Sequence, residues 1–297
     1  MRILLLGSTG QVGWELQRSL APLGEVQILA RGAADLENPQ ALAASVRDLR
    51  PDVIVNAAAH TAVDKAESEA ERAHRINAEA PGALADEAAR TGALLVHYST
   101  DYVFDGSGTR PWSEADATGP LSVYGSTKLE GEQRIRASGC RHLVFRTSWV
   151  YAARGGNFAK TMLRLARDRD RLTVIDDQWG APTGADLIAD VTAHAIRGVE
   201  RHGAAPGLYH LVAGGETTWH GYASHVIAQA RRLQPDAPLA VEEIAAVPTS
   251  AFPTPARRPA NSRMDTTRLQ QAFQLALPAW QTGVDRMLAE ILETSNR

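Results

Sequence analysis

Along roughly its first half the chain alternates short apolar runs with amphipathic stretches. Arg2 to Leu6 is an apolar run closed by Gly7, after which Leu16, Leu20 and Leu23 recur at helical spacing within Trp14 to Leu23. That order predicts a strand, a glycine turn and a helix. A second apolar run at Val26 to Ala30 precedes a helical pattern at Leu42, Val46 and Leu49, and Val53 to Ala59, introduced by Pro51 and Asp52, reads as a buried strand. Ala70 to Arg90 predicts one long alanine-rich helix, followed by a strand at Ala93 to His97. Strands and helices alternating at this length predict an α/β fold, a doubly wound parallel sheet of Rossmann type.

Past Val150 the alternation loosens. Helices are expected at Asn157 to Arg169, Gly184 to Val199, Trp219 to Leu233 and Trp280 to Leu292, with a strand at Leu172 to Ile175. Pro235, Pro238, Pro248, Pro253, Pro255 and Pro259 mark a loop-rich stretch between the last two helices. The expected division is a nucleotide-binding unit over 1–150, to which later segments return, and a smaller recognition lobe over 151–297.

Composition narrows the function classes. Of 297 residues 44% are hydrophobic and 22% charged, enough apolar material for a large core and too little charge for disorder. A formal charge of −3 gives no overall attraction to nucleic acid. Cys140 is the only cysteine, which excludes an intrachain disulfide and a cysteine-based zinc site. No apolar run approaches the ~20 residues of a membrane span, and the four apolar residues after Arg2 are too few for a signal-peptide core, so a cytoplasmic location is expected.

Three motifs carry chemistry. Gly7, Gly10 and Gly13, with Gln11 and Val12 between them, lie at the first strand-to-helix turn, where a phosphate meets backbone N–H groups and the positive end of a helix dipole. A turn needed only for tight packing is the alternative. At the end of the second strand stands Arg31, with no carboxylate beside it. A guidanium there suits a 2′-phosphate and favours NADPH, with NADH as the alternative and a solvated arginine as the bland reading. Asp35 and Leu36 follow near the same edge. Tyr124 and Lys128 are four apart, on one helix face, where an ammonium stabilises a tyrosinate and lets the phenol act as a general acid. They follow the polar run His97 to Asp101 at the carboxyl end of a predicted strand, the end at which ligands bind in open α/β sheets.

These motifs, together with Asn56 to Asp64, Phe145 to Tyr151 and Pro253 to Pro259, resemble the extended short-chain dehydrogenase/reductase family over essentially the whole chain. Within it they look like reductases of dTDP-4-keto-6-deoxy sugars. The resemblance implies reduction of the C4 ketone of dTDP-4-dehydro-L-rhamnose to dTDP-L-rhamnose. It implies a catalytic trio of Thr100, Tyr124 and Lys128, with Tyr124 protonating the C4 oxygen and Lys128 lowering the phenol's pKa. It further implies that Gln11, Val12, Ala59, His60, Thr61 and Tyr98 line the cofactor, and that Asp101 and Trp149 approach the sugar. The family's usual acid after the second strand is replaced by Ala30. A dehydratase is disfavoured because Thr100 and Asp101 are followed by Tyr102 and not by glutamate. Other sugar-nucleotide epimerases or reductases remain alternatives, as does a non-catalytic NADP-binding regulatory subunit.

Some family members form homodimers around magnesium, and the matching positions are Glu15, Asp186 and Glu290, which are otherwise three solvated surface acids. Arg257 and Arg258 suit a nucleotide diphosphate or serve as ordinary loop charge, and Trp112, Trp179 and Trp219 read as packing residues or as a stacking surface for thymine.

Overall fold

The computed structural model describes residues 1–29, 32 and 34–293. Ala30 and Arg31 therefore lie outside the described residues. Strands β1 (Arg2–Leu6), β2 (Glu25–Ile28), β3 (Val53–Asn56), β4 (Leu94–Thr100) and β5 (His142–Thr147) join Gly207–His210 in one six-stranded sheet. Every pairing is parallel, and the spatial order places β1 between β2 and β3.

Successive side chains of a strand face opposite ways, so a strand covered on both sides must be apolar throughout. Ile3 and Leu5 of β1 enter one core with Val53, Val55, Leu94 and Val96, closed by Leu16 and Leu20 of α1 (Gln11–Leu20) and by Ile188 and Ile196 of the helix Ala185–His202. Leu4 and Leu6 enter the opposite core with Ile54, Leu95 and Val144, under Leu42, Val46, Leu84 and Ile135. Each such fully buried side chain contributes about 1.5–3 kcal/mol. The helix Ala185–His202 and the strand Gly207–His210 thus return to the sheet from the second half of the chain.

Between the expected and observed elements one difference is physical. The helix expected over Ala70 to Arg90 has a wide π turn at Arg75–Glu79. It lies just before Pro81, which has no N–H for the carbonyl of Asn77 to accept from. That carbonyl faces Gly131 of the helix Val123–Ala137, where a Cβ would lie 2.2 Å from it. Beyond the sheet, helices Phe158–Asp168, Trp219–Leu233 and Trp280–Glu293 build further apolar clusters. An unanticipated strand, Glu243–Val247, pairs in parallel with Arg171–Ile175. Among the described residues no helix is long and apolar enough to cross a membrane.

Candidate active site

The site forms at the carboxyl ends of β1, β3 and β4, where the strand order reverses between β1 and β3. The three glycines of the first turn have different duties. Gly7 has φ +77° and its Cβ would lie 2.6 Å from the carbonyl carbon of Ala57, while a Cβ on Gly13 would lie 2.0 Å from the Gly7 oxygen. Both are demanded by backbone packing. Gly10 is not: its φ is −73°, and the tightest contact of a Cβ would be 3.4 Å, an ordinary distance. Gly10 is the N-cap of α1, no side chain caps that end, and the first turn holds no acid. Gln11 Oε1 nearby is buried without a hydrogen-bond partner. Open backbone N–H groups and room that a methyl would fill fit a dinucleotide pyrophosphate, while the Gln11 oxygen suits a hydroxyl or amide N–H donor of the same ligand. Val12 packs towards the sheet core.

Ala57 to Thr61 leaves β3 on the other side of this turn. His60 is tied down, since its N–H donates to Asn77 Oδ1 (2.9 Å) and its Nε2 lies 3.0 Å from Glu69 Oε2, whereas Thr61 is exposed. Asp35 accepts the N–H of Glu37 (3.1 Å), and Leu36 is buried in the core between β2 and the next helix.

At the end of β4, Thr100 and Asp101 are 4% and 2% exposed. Thr100 Oγ1 donates to Asp101 Oδ1 (3.0 Å) and accepts from the Tyr102 N–H (3.2 Å), with the Tyr124 phenol beside it. The Ser262 hydroxyl donates to the other Asp101 oxygen. Burial lifts Asp101 to about 6, opposed by the hydrogen bonds from Ser262 and Thr100. Tyr124 sits in the first turn of the helix Val123–Ala137, which Ser122 caps by accepting the Gly125 N–H (3.2 Å). Gly125 lets that helix approach the chain at Tyr102, whose carbonyl oxygen lies 2.2 Å from where a Cβ would be. Burial pushes Tyr124 up to about 12, while the bond with Thr100 lowers it. Lys128, one turn on, donates to the Tyr98 carbonyl oxygen (2.5 Å) and lies 3.1 Å from His97 Nε2; burial brings it down to about 8. The Tyr98 side chain turns to the opposite face, its hydroxyl 2.8 Å from Thr192 Oγ1.

A cleft of about 380 Å³ runs from Tyr102 and Ser262 outward. Trp149 and Trp219 line it, stacked with centroids 3.7 Å apart. Trp149 has φ +48°, rare for a bulky residue, and its indole lies where a Cβ on Gly180 would be 2.8 Å from Cε2. Gln178 Oε1 accepts from Trp219 Nε1 (3.0 Å), fixing the wall. Arg258 also lines the cleft and pairs with Asp64 (2.8 Å). Of the other tryptophans, Trp112 stacks on Phe104 (4.6 Å) and Trp179 is exposed beneath Arg263. Ser262 and Gln178 had no signal in the sequence, because their partners are distant along the chain.

The magnesium expectation gains no support from this chain alone. Glu15, Asp186 and Glu290 are near enough for the two others to raise Glu15 electrostatically, after burial, but arginines share the cluster. Asp186 lies 3.4 Å from Arg286 and Glu15 lies 3.7 Å from Arg18. Both guanidinium groups thus lie among these acids, and among the described residues of the single chain no set of three His, Cys, Asp or Glu side chains is placed to hold a metal ion.

The chain matches the family model described as RmlD substrate binding domain over residues 1–293. It is 59% identical to dTDP-4-dehydrorhamnose reductase of Salmonella typhimurium and 51% identical to that of Burkholderia thailandensis, covering 99% and 98% of this chain and 99% of each relative. Among solved structures, dTDP-4-dehydrorhamnose reductase of Bacillus anthracis in complex with NADP superposes with a TM-score of 0.88 at 31% identity, over 97% of this chain and 99% of that one. The Clostridium acetobutylicum enzyme also gives 0.88, at 34% identity over the whole of both chains. A doubly wound α/β chain that this family model matches over residues 1–293, and that is 59% identical to one such enzyme along nearly its whole length, belongs to the dTDP-4-dehydrorhamnose reductase family.

Proposed function

We propose that this protein is an NADPH-dependent reductase that converts the C4 ketone of dTDP-4-dehydro-L-rhamnose to the alcohol of dTDP-L-rhamnose. The observation that carries this reading is the Thr100–Asp101 pair beside the Tyr124 phenol at the carboxyl end of β4, together with a glycine turn that has room at Gly10. Gly10, Gln11 and the first turn of α1 would hold the pyrophosphate, with residues 1–150 supplying most of the cofactor site and 151–297 most of the sugar-nucleotide site. When bound, the nicotinamide supplies a hydride.

Tyr124 is the general acid. With a pKa near 12 its phenol is protonated at neutral pH, and it passes that proton to the C4 oxygen as negative charge develops there. Thr100, whose proton goes to Asp101 in this arrangement, turns that proton to the C4 oxygen when the substrate arrives and so holds it beside the phenol. Lys128 holds the ribose and, as ammonium, stabilises the tyrosinate left behind. The Trp149–Trp219 wall supports stacking on the sugar nucleotide, and Arg258 is near enough to the cleft to pair with its diphosphate. Arg31, which lies outside the described residues, is assigned from the sequence alone to the ribose 2′-phosphate, which would favour NADPH over NADH.

Incubation of purified protein with dTDP-4-keto-rhamnose and NADPH should oxidise the nicotinamide stoichiometrically with sugar reduction. NADPH binding without turnover overturns the enzyme reading in favour of a non-catalytic NADP-binding subunit.

A further inference from the structure

Behind Lys128, away from the cleft, a file of polar side chains crosses the sheet. Asn56, His97 and Lys128 are 1%, 1% and 2% exposed. The parallel register that sets Asn56 against His97 brings their side chains together, with His97 Nδ1 3.2 Å from Asn56 Nδ2 and His97 Nε2 3.1 Å from Lys128 Nζ.

The directions of these bonds follow from one unambiguous donor. The Ala58 N–H donates to Asn56 Oδ1 (3.2 Å), so the amide NH₂ faces the imidazole. A donor facing Nδ1 requires a lone pair there. Burial drives the His97 pKa far down, so the ring is neutral and, with Nδ1 accepting, carries its one proton on Nε2, aimed at Lys128. Only an uncharged amine can accept it. The file then runs in one direction from Ala58 through Asn56, His97 and Lys128 to the Tyr98 carbonyl, with every bond made. An ammonium reverses it: His97 Nε2 must accept, Nδ1 must donate, and Asn56 must turn its oxygen to the ring, leaving the Ala58 N–H without its acceptor.

We propose that His97 and Asn56 are positioning residues that couple the protonation of Lys128 to a turn of the Asn56 amide: the arrangement described here is that of the free amine, and the ammonium used in the chemistry above goes with the reversed file. This deepens the role given to Lys128 above and rests on that reading. One proton enters: His97 passes its Nε2 proton to Lys128 Nζ and takes the incoming proton on Nδ1, so the imidazole stays neutral. Release of the Ala58 N–H links the event to the segment 57–61 that faces the glycine turn. The remaining charges around the file are accounted for. Glu132, on the helix of Lys128, favours the ammonium, but both its oxygens accept from the buried Arg146 of β5 (2.9 and 2.6 Å). On the same helix Glu130 pairs with Arg134 and with His74 of the helix Ala70–His74, and on two further helices Arg47 pairs with Glu87. Asp101, at the end of β4, bonds Thr100 and Ser262.

Asn56→Asp tests this. A carboxylate accepts from both Ala58 N–H and His97 Nδ1–H, so it fixes the reversed direction and keeps Lys128 charged. Long-range ¹H–¹⁵N spectra of histidine-labelled protein should show wild-type His97 switching from the Nδ1–H to the Nε2–H tautomer as pH rises through the Lys128 transition. The variant should hold Nδ1–H throughout, with the transition raised by about 1–3 pH units and the basic limb of the kcat/KM profile moved equally. His97→Gln, which offers Lys128 an acceptor, should raise the transition too and serves if Asn56→Asp does not fold. A single wild-type tautomer across the range, or an unmoved transition in the folded variant, overturns the proposal. The tautomer is read without turnover, so failure of the reductase reading, seen as an inactive wild type, is a separate result.

Discussion

Gly10→Ala and Gly13→Ala place the same methyl group three residues apart and should fail in different ways. At Gly10 the new Cβ meets the Gly7 oxygen at 3.4 Å, and the backbone is in a region open to alanine. Alanine is a poorer N-cap than glycine by about 0.5–1 kcal/mol, but it lowers the entropy of the unfolded chain by about 0.4–1 kcal/mol, so stability should hardly change. At Gly13 the Cβ lies 2.0 Å from the Gly7 oxygen, and α1 must retreat by more than an ångström, at an overpacking cost of about 1–3 kcal/mol. The cofactor reverses the order. If phosphate oxygens lie on the Gly10 backbone, a methyl there excludes them. Thermal unfolding with and without NADPH separates the cases. At 100 times its Kd, NADPH stabilises the wild type by about 2.7 kcal/mol, which for 297 residues raises Tm by about 4 °C. Gly10→Ala should keep the wild-type Tm without ligand and lose that rise. Gly13→Ala should melt earlier without ligand. A full NADPH shift in Gly10→Ala would refute the assignment of that space to phosphate.

Three further outcomes are expected. Tyr124→Phe removes the proton donor and should lower kcat by about 10²–10⁴-fold with an unchanged Kd for NADPH in a binding titration; near-normal turnover removes Tyr124 from the chemistry. Because burial raises Asp101 from 3.8 to about 6, the folded state holds its proton more tightly than the unfolded chain, and the group costs stability as pH climbs through that window. Urea-unfolding midpoints should show Asp101→Asn abolishing a loss of up to about 3 kcal/mol between pH 4 and 6, and parallel profiles for both proteins would contradict it. Gly180→Ala forces the Trp149 indole out of place, so the KM for the dTDP-sugar should rise several-fold while NADPH binding stays constant; an unchanged KM would mean the indole does not shape that cleft.

Much of the fold was legible because its causes are local. The runs Arg2 to Leu6, Val53 to Asn56 and Leu94 to His97 are apolar at every position or nearly so, which only a strand buried on both faces requires, and they became adjacent strands of the central sheet. The four-residue spacing of Tyr124 and Lys128 and the strand–glycine–helix order of the first turn carry their geometry in a few residues. The trio is named from that spacing and a family resemblance, whereas the partners of Lys128 on β4, the Tyr98 carbonyl and His97, carry no such local signal.

Contacts between distant parts of the chain left no local trace. Asp101 meets Ser262 across 161 residues and Asp64 meets Arg258 across 194, pairings that no periodicity encodes and that exist only because the proline-rich segment crosses back over the cleft. Three glycines look alike in sequence, but distances to Ala57 and Gly7 separate two required by backbone packing from one that leaves space. Glu15, Asp186 and Glu290 read as bare acids until folding set Arg18 and Arg286 among them. Hydrophobic periodicity and helical spacing act over a few residues and can be read along the chain. The partners that tune a charge or hold a hydroxyl act through space, and in this protein they came from other strands and from the opposite half of the molecule.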